Sequence, residues 1–213
     1  MPTGNSFKIR TKSNNLFLRV SKGHFATSNS HTNYYIDVTT HKARLSEASA
    51  VARELVSYYN MSTIVDTILC LDGTEVIGTC LAEELTKGGF VNLNSHQTIY
   101  VVTPEHLPGN QLIFRENILP MIKGKNILIL SASITTGSAV SSAVRTVMYY
   151  EGIVAGICSV FSTVDSCDGI HIHSAFGLDA LPDYESHVPH ECPLCKKGEK
   201  LDALINSFGF AKL

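Results

Sequence analysis

The sequence predicts an α/β protein with a mostly parallel sheet that is flanked by helices. Short apolar runs that are typical of buried strands alternate with longer segments that have apolar residues at helical spacing. Such alternation favours parallel strands connected by helices that cover both faces of the sheet. The 213 residues are enough for one domain of this class with a small appendage.

The elements follow from local patterns. Residues 1–40 are polar with three β-favouring patches, and we expect short strands or loops outside the main sheet. In chain order, the other predicted elements are a helix over 45–59, a strand over 63–71, a helix over 77–85 that ends at Gly88 and Gly89, a strand over 98–102, a loop over 103–110, a strand over 126–130, a helix over 139–151, strands over 153–161 and 171–176, and a short terminal helix over 201–208. We therefore divide the chain into an N-terminal segment (1–40), a core (41–180) and a polar, Pro-rich tail (181–213).

The loop between strand 126–130 and helix 139–151 has the composition of an anion site. It carries Thr135, Thr136, Gly137 and Ser138 directly before Ala139. Free backbone N–H groups and the positive end of the helix dipole meet at such a position, and the hydroxyl groups add donors. A phosphate monoester is the expected ligand, and an ordinary strand-to-helix turn with a good N-cap is the alternative.

The predicted topology favours the phosphate interpretation. The turns after Leu71, Val102 and Leu130 should all lie at the carboxyl edge of the parallel sheet. Ligands bind beyond that edge in open α/β sheets.

Charge and hydropathy exclude some partners. The net charge of −2 offers no basic surface for a nucleic acid, and no apolar run is long enough to cross a membrane. The N-terminus has no signal-peptide pattern, so we expect a cytoplasmic protein without a membrane partner. The six cysteines are then expected to be thiols or metal ligands.

Two cysteines in the tail have the spacing of a metal site. Cys192 and Cys195 form a C-x-x-C pair, which can hold one tetrahedral Zn²⁺ if two more ligands are supplied. His187 and His190 are the nearest candidates in the sequence. Further candidates lie upstream, at Cys158, Cys167, His171 and His173. The alternative is that the two cysteines only pack or stay free.

Four stretches together resemble the type I phosphoribosyltransferases, and within them the orotate phosphoribosyltransferases. GHFATSNSHTNYYID (23–37) resembles the signature of the N-terminal hood, and LDGTEVIGTCLA (71–82) lies where the family has its diphosphate-binding turn. KGKNILILSASITTGSA (123–139) resembles the signature for phosphoribosyl pyrophosphate (PRPP), in a degenerate form. CPLCKKGEKLD (192–202) resembles the tail of a longer subgroup.

This resemblance implies a five-stranded, mostly parallel core with a small hood from the N-terminus, and usually a homodimer. It implies a reaction in which a base nitrogen displaces pyrophosphate from PRPP with Mg²⁺ present, as in nucleotide synthesis and pyrimidine biosynthesis. The implied site residues are these: Thr135, Thr136, Gly137, Ser138 and Ala139 for the 5′-phosphate; Asp72, Gly73, Thr74 and Glu75 for the pyrophosphate; Tyr35 and Ile36 beside the base.

The sequence departs from the family at the groups that drive transfer. The two acidic residues that bind the ribose hydroxyls are replaced by Ser131 and Ala132. The cationic loop after the third strand contains no Lys or Arg over 101–111, and only His106 can carry positive charge there. Thr27 replaces a lysine that faces the substrate in many orotate enzymes, and Asn29 replaces a glycine.

Three interpretations remain at this point. The first is a protein that binds PRPP or a nucleoside monophosphate, with weak or lost transferase activity; the loss of several charged groups favours it. The second is an active transferase that uses substitutes, with Asp72 or Glu75 at the metal and Arg115, Lys123 or a partner-chain residue at the pyrophosphate. The third is a non-catalytic dimeric scaffold.

Overall fold

The structure is a computed structural model that describes residues 6–11, 16–87, 92–95, 97–108 and 111–213. In chain order, the strands of these residues are β1 (Ser6–Arg10), β2 (Phe17–Ala26), β3 (His31–Asp37), β4 (Thr67–Cys70), β5 (Tyr100–Val102), β6 (Glu105–Leu107), β7 (Gln111–Ile113), β8 (Asn126–Ile134), β9 (Ile153–Ser162), β10 (Ser166–Cys167), β11 (Ile170–Phe176), β12 (Ser186–His187), β13 (Ala203–Asn206) and β14 (Gly209–Lys212). The helices are α1 (Thr39–Ala43), α2 (Leu45–Leu55), α3 (Glu75–Thr86), α4 (Ser138–Tyr149) and α5 (Pro193–Lys196).

The main sheet has the strand order β10-β11-β9-β8-β4-β5. Its five strands from β11 to β5 are parallel, which confirms the predicted core. The short β10 adds an antiparallel edge beside β11.

Alternate residues of the central strands fill two apolar clusters, one on each face. Ile68 packs in the cluster that contains Val51 and Leu81. Leu69 packs in the cluster that contains Val140. Because both faces are covered, these strands read as continuous apolar runs in the sequence.

A second sheet joins the N-terminal segment to the tail. Its order is β12-β3-β2-β13-β14, and β1 pairs with β2 beside this path. The tail strand β13 runs parallel to the end of β2, with Ala203 opposite Phe25. The hood is therefore built from both ends of the described chain.

The predicted terminal helix over 201–208 is wrong, because this segment forms the β13–β14 hairpin. Ala203 is buried, Leu204 is exposed and Ile205 is half-buried, which is the alternation of a strand. The hydrogen-bonding edge offered by β2 decides the outcome, and a pattern in one short segment does not reveal that edge.

Two other boundaries also differ from the prediction. The predicted loop over 103–110 contains β6, which pairs with β7 in a separate ribbon, while residues 109 and 110 lie outside the described residues. The predicted helix end at Gly88 and Gly89 also lies outside them, and α3 is described to Thr86. In the described part of the chain, no helix is both long and apolar enough to cross a membrane.

Helix α3 approaches β4 closely at Gly78. A Cβ atom at this position would overlap Cys70 Sγ and would lie 3.2 Å from Val101 Cγ1. The close contact holds the start of α3, and with it the turn after β4, against the edge of the sheet.

We expect Gly78→Ala to lower the free energy of unfolding by about 1–3 kcal/mol, measured by urea denaturation, because the added methyl group overpacks the interface. Alanine would otherwise stabilise a helix, by about 1 kcal/mol. Cys70→Ala should recover part of the loss in the double variant, because it removes the overlapping sulfur. Thr79→Ala, at an exposed site on the same helix, is the matched control. A Gly78→Ala protein as stable as the wild type would contradict this packing.

Candidate functional site

The loop that follows β8 carries several exposed residues at the start of α4. Thr136, Ser138 and Ala139 are exposed, whereas Gly137 is buried with a φ of 75°. Glycine adopts this left-handed conformation without strain. The N–H of Ser141 donates to the carbonyl of Gly137 at 2.8 Å and closes the first turn of the helix. The N–H groups of Ala139 and Val140 precede that bond, and the N–H of Ser138 makes only a long contact of 3.5 Å with Thr136 Oγ1. First-turn N–H groups of this kind are the ones that a helix can offer to an anion.

The loop is braced from the connection after β9. Thr163 donates from its hydroxyl to the carbonyl of Thr135 at 2.7 Å and from its backbone N–H to the carbonyl of Ile134 at 2.9 Å. Cys167 packs behind Gly137, with its Sγ 3.6 Å from the position of a Cβ there. The site is thus preformed by backbone contacts.

A second turn, at Asp72 to Glu75, follows the neighbouring strand β4. Asp72 and Gly73 both have left-handed backbones, with φ values of 58° and 74°. The buried Thr74 hydroxyl donates to the carbonyls of Leu71, at 2.8 Å, and Leu130, at 3.2 Å. These bonds fix the turn beside the end of β8.

Ser131 and Ala132, the positions where the resemblance places an acidic pair, are both buried in the second half of β8. Ala132 belongs to the apolar cluster under α2 and α3. Ser131 points the other way and donates to Asp72 Oδ2 at 2.7 Å. A carboxylate therefore lies next to this strand end after all, supplied by the turn after β4.

Lys42, on the short helix α1, is a cation at this edge that the sequence analysis missed. Its Nζ donates to the carbonyl of Asp72 at 2.7 Å and to the carbonyl of Ser207 in the β13–β14 turn. Burial lowers the pKa of Lys42, and the nearby Asp72 and Glu75 carboxylates oppose that shift. The sequence does not indicate a site at the single lysine of the segment TTHKA, because the two carbonyl groups that it contacts belong to residues 30 and 165 positions away.

The preceding residue, His41, anchors α1 to the hood. Its ring is buried, and Nε2 donates to the carbonyl of Phe17 at 2.7 Å. Burial is the main cause that lowers the pKa of His41 below its usual 6.5. This anchor sets the position from which Lys42 extends.

The structure places Tyr35 and Ile36 on opposite faces of β3. The buried Tyr35 packs between Phe25, with ring centroids 6.1 Å apart, and Phe210 of the tail, at 5.4 Å. Ile36 packs against the larger apolar cluster instead. Burial, and then the charge of Asp37, raises the pKa of the Tyr35 hydroxyl.

The two cations proposed as substitutes are already paired. Arg115 makes two bonds of 2.7 Å to the carboxylate of Glu105, and Lys123 lies 2.9 Å from Glu151. Lys123 also precedes β8, whose nine residues span about 30 Å, so it lies at the opposite end of that strand from the Thr135–Ala139 loop.

The tail cysteines meet different histidines from those that the sequence suggested. Cys192, Cys195, His24 and His31 bring their ligand atoms within 4.8 Å of one another, and this group could hold a metal ion. His187 and His190 instead contact Glu185 and Glu191. His24 and His31 carried a signal only as members of the hood stretch 23–37.

Comparison with known proteins finds both similar sequences and similar solved structures. The chain is 28% identical over 183 residues to the orotate phosphoribosyltransferase of Chlorobaculum parvum, covering 85% of this chain and 86% of the relative. It is 25% identical over 184 residues to that of Chlorobium phaeobacteroides, with the same coverage. No protein-family model matches the chain.

Among solved structures, the orotate phosphoribosyltransferase of Mycobacterium tuberculosis superposes with a TM-score of 0.54 at 18% identity, covering 77% of this chain and 92% of that protein. The resemblance to the type I phosphoribosyltransferases, and to the orotate phosphoribosyltransferases among them, is confirmed. The fold is phosphoribosyltransferase-like.

We expect the stability of this orotate phosphoribosyltransferase-like chain to fall from pH 7.5 to pH 5.5 partly through His41. The unfolded histidine takes up a proton as the pH falls below 6.5, whereas the folded one resists it because its pKa is lower. Stability is then lost as the pH falls from 6.5 towards the folded pKa. His41→Gln should show a shallower loss in urea denaturation, and His106→Gln, at an exposed site, should not. An equal pH dependence in the wild type and His41→Gln would refute this assignment.

Proposed function

We propose that the chain binds a phosphoribosyl compound, either PRPP or a nucleoside 5′-monophosphate, and that its transferase activity is weak or lost. The observation that carries the proposal is the exposure of Thr136, Ser138 and Ala139 at the start of α4, with Gly137 in the left-handed conformation. This geometry suits a phosphate monoester, because N–H groups and the helix dipole converge on one anionic group.

A nucleoside monophosphate fits the charges better than PRPP does. Arg115 and Lys123 are both paired with carboxylates. Near the pyrophosphate turn, Lys42 is already bonded to two carbonyl groups. A pyrophosphate at this turn would lie near one cation, Lys42, whose hydrogen bonds are already made to the protein, and near the carboxylates of Asp72 and Glu75. Its negative charge would therefore be poorly neutralised.

Weak transfer follows from the buried Ser131–Ala132 pair. Alanine cannot accept a hydrogen bond from the ribose, and the Ser131 hydroxyl is already bonded to Asp72. The loss of two charge-assisted bonds costs about 3–6 kcal/mol. If that cost falls on the transition state, the rate decreases by a factor of about 10²–10⁴.

The position of Asp72 favours a second candidate, an active transferase in which this carboxylate replaces the missing pair. Its Oδ2 lies 2.7 Å from Ser131 Oγ, beside the strand end where the ribose is expected. In that case Asp72 would accept a ribose hydroxyl and stabilise positive charge on the sugar.

The fold family also implies Mg²⁺, and the oxygen donors at this edge fit it. Asp72 is half-buried and Glu75 is exposed, and Mg²⁺ prefers carboxylate and phosphate oxygens with several waters. These two residues would hold the ion, which would supply charge neutralisation for a bound pyrophosphate.

We expect calorimetry to detect binding of uridine 5′-monophosphate and to detect none of uridine, because the phosphate provides the main contacts. Ser138→Asp should weaken monophosphate binding at least about tenfold, since a carboxylate would occupy the anion site. The same change should leave the fold intact or slightly stabilised, because a negative charge suits a helix N-terminus.

Met148→Asp is the matched control, since it adds the same charge at an exposed site near the other end of α4. It should leave binding unchanged. Tight PRPP binding without any monophosphate binding would overturn the ligand preference. A melting temperature that no phosphorylated ligand shifts would favour the scaffold function instead.

Transfer assays with orotate, PRPP and Mg²⁺ test the catalytic part. We expect turnover at least about 10²-fold below the usual enzymatic value of about 10 s⁻¹. Asp72→Asn separates the two candidates: if Asp72 acts in transfer, the variant loses the residual turnover and keeps monophosphate binding. Turnover of about 10 s⁻¹ by the wild type would refute the proposed loss of activity.

A further inference from the structure

Two histidines of the hood and two cysteines of the tail point four ligand atoms at one another. His24 Nε2 lies 3.3 Å from His31 Nδ1, 3.4 Å from Cys192 Sγ and 3.6 Å from Cys195 Sγ. His31 Nδ1 lies 3.2 Å from Cys195 Sγ. The nitrogen of His24, on β2, is thus close to three potential ligand atoms: one comes from β3, one from the residue directly before α5 and one from α5.

These separations are those of ligands around a tetrahedral zinc ion. Bond lengths of about 2.0–2.1 Å to nitrogen and about 2.3 Å to sulfur place two nitrogens about 3.4 Å apart, and a nitrogen and a sulfur about 3.6 Å apart. The nitrogen pair, at 3.3 Å, and three of the four nitrogen–sulfur pairs, at 3.2–3.6 Å, follow this pattern. All four ligand atoms lie within 4.8 Å of one another.

A bond outside the cluster orients the ring of His24. Its Nδ1 lies 3.0 Å from the carbonyl oxygen of Glu199, which can only accept, so Nδ1 carries the proton. Nε2 then directs its lone pair at the cluster. A carbonyl partner for the second ring nitrogen is the usual arrangement around a metal-bound histidine.

The backbone holds the two segments in register at the same place. The N–H of His24 donates to Asp202 Oδ2 at 2.8 Å, and the N–H of Asp202 donates to the carbonyl of His24 at 2.8 Å. Lys196 N–H donates to the carbonyl of Cys192 at 3.1 Å, which folds the C-x-x-C segment into a turn that brings both sulfurs to one side. His24 and Cys192 are each only 2% exposed.

The chemical type of the four ligand atoms indicates which metal the site would bind. Two thiolates and two imidazoles suit Zn²⁺, whereas Mg²⁺ and Ca²⁺ prefer oxygen. Four protein ligands complete a tetrahedron and leave no position for water, as in structural zinc sites.

The site lies at the base of the tail hairpin. After Cys195, the chain returns to pair β13 with β2, places Phe210 on Tyr35 and bonds Ser207 to Lys42. A metal at this point would fix the hairpin on the hood, because it adds bonds between segments that are more than 160 residues apart in sequence.

We propose that His24 Nε2, His31 Nδ1 and the thiolates of Cys192 and Cys195 bind one structural Zn²⁺ that fastens the C-terminal tail to the hood. The site is separate from the Thr135–Ala139 loop, so its test does not depend on the proposed phosphate ligand.

The test begins with the full chain, produced with zinc in the medium and purified without chelators. Elemental analysis should find about one zinc per chain. The double variant His24→Asn/His31→Asn should retain less than about a tenth of that zinc, because half of the ligands are lost. The double variant His187→Asn/His190→Asn is the matched control, since it removes two histidines of the same tail, and it should keep the zinc.

If a variant does not fold, binding of Co²⁺ by the wild-type protein still tests the proposal. Co²⁺ should give the absorption of a tetrahedral ion together with thiolate-to-cobalt charge-transfer bands. Chelation should also increase tryptic cleavage at Lys196, Lys197 and Lys200, because the tail loses its attachment. A wild-type protein without zinc or cobalt binding would overturn the proposal, and so would zinc that is lost from the His187/His190 variant but kept by the His24/His31 variant.

Discussion

The parallel pairing of β4 with β8 determines the geometry of the candidate site. Its register runs from Thr67 opposite Ile127 to Cys70 opposite Leu130, and the N–H of Leu71 continues it by donating to the carbonyl of Leu130 at 2.8 Å. At the other end, the Asp66 carboxylate accepts from the backbone and side-chain nitrogens of Asn126 at 2.7 and 2.8 Å. Because the two strands are parallel, the Asp72 turn and the Thr135 loop open towards the same edge, although β8 continues to Ile134, four residues beyond the partner of Cys70.

At this edge, anion binding and group transfer require different parts of the chain. An anion site at a helix start depends on backbone N–H groups and, here, on the conformation of Gly137, which tolerate many changes in the neighbouring side chains. Group transfer depends on charged side chains, and the second half of β8 carries a serine and an alanine at 131 and 132 that are both buried. A chain with this fold can therefore keep the backbone of an anion site without the charged groups that transfer needs.

The hood connects the tail to that same edge. Lys42 bonds to the carbonyl of Asp72 and to that of Ser207, so one side chain links the turn after β4 with the tail hairpin. Tyr35 is buried between Phe25 and Phe210, again with the tail on one side. The tail therefore contributes to the surroundings of this edge of the sheet. The four candidate metal ligands lie on β2 and β3 and in the segment that precedes the hairpin.

The sequence by itself determined the parallel core, the turn after β4 and the Thr-Thr-Gly loop, because buried strands, glycines and helix starts leave local patterns. It also identified Cys192 and Cys195 as a pair, since their spacing is local. Only the tertiary structure decided their partners, the carboxylate beside Ser131, the place of Lys42 and the strand in place of the terminal helix. Each of these depends on contacts between segments distant in the chain, and such contacts are set by packing and by available sheet edges rather than by neighbouring residues.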